Sequence, residues 1–131
     1  MIFQDLFEQF SQKGSFCTPD KNVAFADIPW SVHPTFDGVQ LKTLLNGEQT
    51  AGQFSYHLVR IAPNKKIGNH IHAEQLETHE VIAGSGFCIN NDEKIAYESG
   101  VISIMPPKVA HEVWAGSDGL YLFAKFMPAQ S

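Results

Sequence analysis

Cysteine is scarce in this chain: Cys17 and Cys88 are the only two, far apart and in no CxxC arrangement. That excludes a disulfide framework and a thiolate zinc site. One disulfide between them stays open, with a reduced, cytoplasmic protein as the expectation. Positive charge is scarce too, with Lys and Arg totalling 9 against 14 Asp and Glu, a net charge of −5. Phosphate recognition needs clustered Lys and Arg, so nucleic acid is not an expected partner. Lys65-Lys66, the nearest approach to a basic cluster, reads as a solvated turn. No apolar run approaches the roughly 18 residues of a membrane span. The opening MIFQDLFEQF lacks a basic start and carries Asp5 and Glu8 among its apolar residues, unlike a signal peptide. There is no repeat, linker or low-complexity stretch, so no membrane and no second domain is expected.

What is present fits a single domain over residues 1–131. A chain of this size buries roughly two-thirds of its unfolded surface, enough for a core without staples. Ten phenylalanines point to an aromatic core or an oligomer interface. Ile2, Phe3, Leu6, Phe7 and Phe10 recur at helical spacing, which predicts a short amphipathic helix over residues 2–12, ended by Gly14. Its simplest task is to cover one end of the fold or a neighbouring subunit.

Beyond it the chain reads as strands: 39–45, 54–62, 77–83, 86–90, 94–97, 101–105, 111–114 and 120–126 are short runs rich in β-formers. Asn46-Gly47, Pro63-Asn64, Asn91-Asp92, Ser99-Gly100 and Pro106-Pro107 punctuate them. Many short strands with turn residues between them predict an all-β sandwich or barrel.

The chemistry sits between Asn64 and His111. His70 and His72 stand two apart, so an extended chain puts both imidazoles on one face. Glu77 follows after a loop-length gap, and His111 comes from a later strand. Three imidazoles and a carboxylate suit Fe, Mn, Ni, Cu or Zn as one divalent ion per chain, and are too nitrogen-rich for Mg or Ca. Four such ligands on an octahedral ion leave two positions open.

An HxH pair alone is weak evidence, but its surroundings match two motifs. The first, G-x5-H-x-H-x4-E-x6-G, is met by His70, His72, Glu77 and Gly84, with Asn64 at the first glycine position. The second, G-x5-P-x-G-x2-H-x3-N, is met by Gly100, Pro106 and His111, with Lys108 for the inner glycine and Ala115 for the asparagine. In these features residues 63–115 resemble a small single-domain cupin of the RmlC-like type. The resemblance implies a jelly-roll barrel, also called a double-stranded β-helix, holding a metal through His70, His72, Glu77 and His111. Asn64 tolerates a left-handed turn, whereas Lys108 changes the turn before His111.

Strand alternation points Glu77, His79, Val81 and Ala83 the same way. His79 is therefore a candidate for a partner of the ligands or a general acid/base, against the blander reading of a hydrogen-bonded structural histidine. Glu77 is a candidate for ligand and proton acceptor together. Gln75 is a weak alternative ligand, and Glu80 is expected to face outward. His57 is a candidate for the cavity lining but reads better as a satisfied, half-buried histidine, and His33 reads as a surface one. Trp30, Phe36, Tyr56, Phe87, Trp114 and Phe123 are candidates for pocket walls, but as a group fit core or interface better.

Small cupins include dioxygenases, isomerases and decarboxylases, so the expected function is an enzyme acting on a small oxygen-chelating molecule. The alternative is a non-catalytic metal-containing module that binds or senses a small ligand. Leu120 to Phe126 (LYLFAKF) is apolar on both faces, which with the resemblance predicts a homodimer.

Overall fold

The computed structural model describes residues 3–130. Helix α1 (Phe3–Lys13) occupies the stretch expected from the helical spacing, and Gly14 follows it, its N–H closing on the Phe10 carbonyl. Ile2, assigned to the same helix from the sequence, lies outside the described residues. A small hairpin of β1 (Ser15–Cys17) and β2 (Asn22–Ala24) and a one-turn 3-10 helix (Phe25–Asp27) follow. Neither strand was expected, because three-residue strands carry too few residues for alternation to register.

The remaining elements are β3 (Ser31–Val32), β4 (Val39–Leu45), β5 (Ser55–Ile61), β6 (Lys66–His70), β7 (Leu76–Asn90), β8 (Glu93–Tyr97), β9 (Ile102–Met105) and β10 (His111–Met127). They form one antiparallel eight-stranded sheet in the order β3-β4-β5-β10-β7-β8, with β6 also on β10 and β9 also on β7. Four expected strands are thus two long ones. Residues 77–83 and 86–90 are the halves of β7, and 111–114 and 120–126 lie within β10.

Each long strand turns a corner and serves two layers. The early half of β7 pairs with β9 and with the late half of β10, which also pairs with β5. The late half of β7 pairs with β8 and with the early half of β10, which also pairs with β6. The ladder between β7 and β10 slips between Ala115 and Leu120, at the corner. A Cβ on Gly84 would stand 2.1 Å from the Gly119 carbonyl oxygen, and one on Gly86 2.0 Å from that of Trp114. These glycines let two backbones cross closely at a bend. They resemble turn residues in the sequence because a corner and a turn make the same demand on the backbone. The result is the jelly-roll barrel that the family resemblance implies.

Inside the barrel Val39, Val59, Ile61, Val81, Leu120 and Leu122 form a buried apolar core. On the outer face, Leu44, Leu58 and Phe123 pack with Phe7 and Phe25. Phe7 is fully buried, a transfer worth about 1.5–3 kcal/mol. Tyr121 and Phe123 of β10 meet Phe7 and Phe10 of the helix edge-on, at 5.2 and 5.1 Å. The two-faced apolarity of LYLFAKF is therefore satisfied within one chain: the core takes one face and α1 the other. Among the described residues no helix is long and apolar enough to cross a membrane.

Candidate metal centre

His70 ends β6, His72 lies in the loop after it, Glu77 is near the start of β7 and His111 begins β10. His70 and His111 are direct cross-strand partners, their ring centroids 4.2 Å apart. The loop between β6 and β7 returns Glu77 beneath them. One ligand-type atom from each of His70, His72, Glu77 and His111 lies within 4.8 Å of all the others.

The hydrogen bonds orient this group. His70 Nδ1 donates to the Gly68 carbonyl at 2.7 Å, and His111 Nδ1 to that of Val109 at 3.3 Å. A carbonyl only accepts, so both rings carry their proton on Nδ1 and turn the Nε2 lone pair inward. Burial holds the His70 imidazole below its ordinary pKa and so neutral, outweighing the carbonyl of Gly68. His72 Nε2 is buried with no hydrogen-bond partner, although it stands 3.2 Å from Glu77 Oε1. His111 Nε2 stands 2.9 Å from the same oxygen. Glu77 is 4% exposed. Burial alone would raise its pKa, but the His79 imidazole, with the rings of His111 and His72 close by, holds it well below the usual carboxylate range. Lone pairs facing a carboxylate oxygen at these distances repel unless a cation lies among them. The donor set fits a divalent ion with nitrogen and oxygen ligands.

His79 is 2% exposed and lies beside Glu77. Its Nε2 is 2.8 Å from Glu77 Oε2, and its Nδ1 is 2.8 Å from the Tyr97 hydroxyl. Glu77 thus turns one oxygen to the histidine cluster and the other to His79. Tyr97, fully buried on β8, was not anticipated; its inward position in the alternation of β8 was the available signal. Burial, with Cys88 beside it, pushes the Tyr97 phenol up, so it stays a protonated hydrogen-bonding group.

The group opens into a cavity of about 550 Å³ whose wall includes His33, Phe36, Thr43, His57, Phe126 and Ile71. Phe36 packs between His33 and His70, and Phe126 between His57 and His72. Of the six aromatic residues considered as pocket walls, only Phe36 lines this cavity. Trp30 lies under the Arg60 guanidinium, Phe123 and Tyr56 pack together on the outer face, and Phe87 stacks on Trp114. His33, expected at the surface, is half-buried at the cavity wall. Gln75 lies outside the ligand group and donates to the Pro128 carbonyl, and Glu80 pairs with Lys125.

The family model described as a cupin domain matches residues 57–123, just over half of the chain. The chain belongs to the cupin family. Among solved structures, this cupin is similar to a predicted oxalate decarboxylase from Thermotoga maritima. The TM-score is 0.73 at 17% identity, over 79% of this chain and 95% of that one. An RmlC-like cupin from Shewanella frigidimarina has a TM-score of 0.70 at 15% identity, over 88% and 92% of the two chains. The polyketide cyclase RemF from Streptomyces resistomycificus has a TM-score of 0.69 at 20% identity, over 82% and 78%. At such identities these likenesses concern the fold alone. No curated protein matches the cupin in sequence at a significant level.

Both motif positions where this cupin replaces glycine keep a left-handed backbone, with φ of 62° at Asn64 and 68° at Lys108. Gly84 and Gly100 have φ of 80° and 96°. The fold imposes the turn, and the side chain present bears the strain.

Proposed function

We propose that this cupin holds one divalent iron, manganese, nickel, copper or zinc ion through His70, His72, Glu77 and His111. In this reading it is an enzyme acting on a small molecule that chelates through oxygen. The observation that carries the reading is the convergence of inward lone pairs on Glu77 Oε1, with the outer nitrogens of His70 and His111 tied to carbonyls. When bound, such an ion supplies Lewis acidity toward a chelating oxygen. The chain's own residues do the rest. Phe36, Phe126, Ile67 and Ile71 wall the apolar part of the cavity and limit water around the ligand. His79 fixes the rotamer of Glu77 and acts as a positioning residue, with Tyr97 fixing His79 in turn. Among the described residues Glu77 Oε1 is the one carboxylate oxygen set against the histidine cluster, which makes it the acceptor for a proton leaving the ligand. A dioxygenase, isomerase or decarboxylase-like reaction is consistent with this arrangement. The cupins of similar fold named above include a predicted oxalate decarboxylase and a polyketide cyclase.

One observation favours a second reading, a metal-containing module that binds or senses a ligand without turning it over. Both ring nitrogens of His79, and both of His57, are already hydrogen-bonded within the protein, so neither ring is a free base. The two readings share the metal and differ in turnover. A cytoplasmic setting belongs to both, supported by Cys17 and Cys88 being free thiols.

Elemental analysis of protein purified without chelator, beside His72→Ala and His111→Ala, is the test. About one first-row ion per chain, lost in both variants, is expected. Its identity then directs turnover assays with chelating diketones and enols. A wild-type chain that neither retains nor rebinds an ion ends the proposal.

A further inference from the structure

Across strands β4, β5, β10, β7 and β9, the residues Thr43, His57, Ala124, His79 and Ser103 are successive cross-strand partners. They form a lateral row along the inner face, with the small side chain of Ala124 between two imidazoles. Thr43, His57, Ala124 and His79 all line the cavity that the ligand group opens into.

The half of this row on β4 and β5 has a defined hydrogen-bond polarity. His57 is buried, with Nε2 3.0 Å from Ser55 Oγ and Nδ1 3.0 Å from Thr43 Oγ1. Burial lowers the His57 pKa to about 4, against a smaller opposing pull from Glu77, so at neutral pH the ring carries one N–H. Ser55 settles which nitrogen has it. Its hydroxyl is fully buried and already accepts the Gln130 backbone N–H at 3.0 Å. Among the described residues His57 Nε2 is its one other partner. Were Nε2 protonated, Ser55 Oγ would accept twice and bury its own proton without an acceptor, at a cost of about 1–3 kcal/mol. Ser55 therefore donates to Nε2, and Nδ1–H donates to Thr43 Oγ1. The Thr43 hydroxyl has no other hydrogen bond among the described residues, so its proton is free for the cavity.

His33 obeys the same logic. Its Nδ1 accepts the backbone N–H of Thr35 at 3.0 Å and of Phe36 at 3.2 Å, which leaves the ring proton on Nε2. Thus two neutral groups at this wall carry a spare donor proton, while no Lys or Arg lines the cavity.

The geometry points to a second ligand subsite, in which the Thr43 hydroxyl, oriented through Ser55 and His57, donates a hydrogen bond to a neutral carbonyl or hydroxyl oxygen of the bound molecule. It rests on the proposed metal site, which holds the chelating end of the same molecule, and names the class of ligand more narrowly. That class has an oxygen-chelating head, an apolar body against Phe36 and Phe126, and a distal uncharged acceptor. A distal carboxylate or phosphate fits poorly, since the wall offers no cation to offset its desolvation.

The test uses the metal-loaded full chain and two probes with one diketone head: benzoylacetone carrying a para-acetyl group, and its para-ethyl counterpart. By calorimetry, Thr43→Val is expected to weaken the acetyl probe about two- to tenfold, the range for one neutral hydrogen bond, and to leave the ethyl probe unchanged. Thr43→Ser, which keeps the hydroxyl, is expected to keep the acetyl preference. Nitrogen NMR of the metal-free protein is expected to show His57 protonated on Nδ1. Equal losses for both probes, no loss for either, or an Nε2-protonated His57 would overturn the subsite. Metal content is measured on each sample. No bound ion in the wild type would remove the proposed function and the subsite with it, whereas a loaded protein indifferent to Thr43 would remove the subsite alone.

Discussion

The backbone N–H of Lys108 donates to the carbonyl of His72 at 2.8 Å. This bond joins the loop that carries one ligand-type histidine to the turn that leads into another, His111. The turn is made with φ of 68° at Lys108, a conformation a non-glycine residue adopts at a cost of roughly 1–2 kcal/mol.

Backbone and side-chain contributions at this position separate by substitution. Lys108→Val, β-branched and poorly suited to positive φ, is expected to lose about 1–2 kcal/mol and to weaken metal binding. Lys108→Gly is expected to keep both stability and affinity. Thermal unfolding and competition with a chelator read the two effects. Equal loss of affinity in both variants would mean that the lysine side chain matters and the turn does not.

Tyr97 is outside the group of His70, His72, Glu77 and His111, yet it holds His79, which holds Glu77. Tyr97→Phe removes the hydroxyl and leaves His79 Nδ1 unpaired in a buried place, a loss of about 1–3 kcal/mol. Outer partners of metal ligands typically govern about 10–100-fold in affinity, so a chelator competition should show metal affinity falling at least tenfold. Unchanged affinity in a folded variant would mean that Glu77 needs no such support.

His57 makes stability depend on pH. Its pKa in the folded state is about 4, below the ordinary value of 6.5 that the unfolded chain restores. Between these values the unfolded state binds more protons, so this contribution is fully present above pH 6.5 and fades as pH falls toward 4. The full effect is on the order of 3 kcal/mol. Urea titrations from neutral pH down to 4 should show a shallower slope for His57→Gln than for the wild type. Parallel slopes would mean that His57 does not carry the dependence.

Lys42 is 3% exposed, and its Nζ donates to the carbonyl of Ser11 in the last turn of α1, at 2.5 Å, and to Ser11 Oγ, at 3.2 Å. A cation at a helix C-terminus satisfies a carbonyl that the helix itself leaves unpaired. Lys42→Met is expected to speed hydrogen exchange in α1 while leaving metal stoichiometry unaltered. Unchanged exchange would assign the docking of α1 to Phe7 and its neighbours alone.

The surface available for self-association is not the one the sequence suggested. The outer face of β10 is covered by α1, but Ile102 and Ile104 on β9 are 68% and 56% exposed. We propose that a homodimer buries this pair. Sedimentation at micromolar concentration should then show a dimer for the wild type and a monomer for the Ile102→Glu, Ile104→Glu double variant. A wild-type monomer ends the dimer reading.

The ligand group was legible because its residue types, spacings and order are unusual together, and because strand alternation alone aimed His79 at Glu77. The corners of β7 and β10 were not legible, since Gly84 and Gly86 read equally well as a turn between strands. His57 was legible as a possible cavity residue and, by preference, as a satisfied one; it is both, and its partners were not legible because only strand pairing brings Thr43 and Ala124 beside it. Apolarity on both faces of β10 was read correctly as double burial. What covers the second face, another subunit or the chain's own helix, is a question of topology that a local pattern does not answer.

β10 is the last strand in chain order, yet it lies in the middle of the sheet, between β5 and β7, and it begins with His111. During synthesis, β5, β6 and β7 must wait beside an open seam. Most native contacts join residues distant in sequence, the pattern of slow folders. A growing chain displays His70, His72 and Glu77 well before the fourth member of their group exists. On the proposed reading, selection of the ion is deferred until the barrel closes, and a half-made chain has no finished nest in which to trap the wrong one.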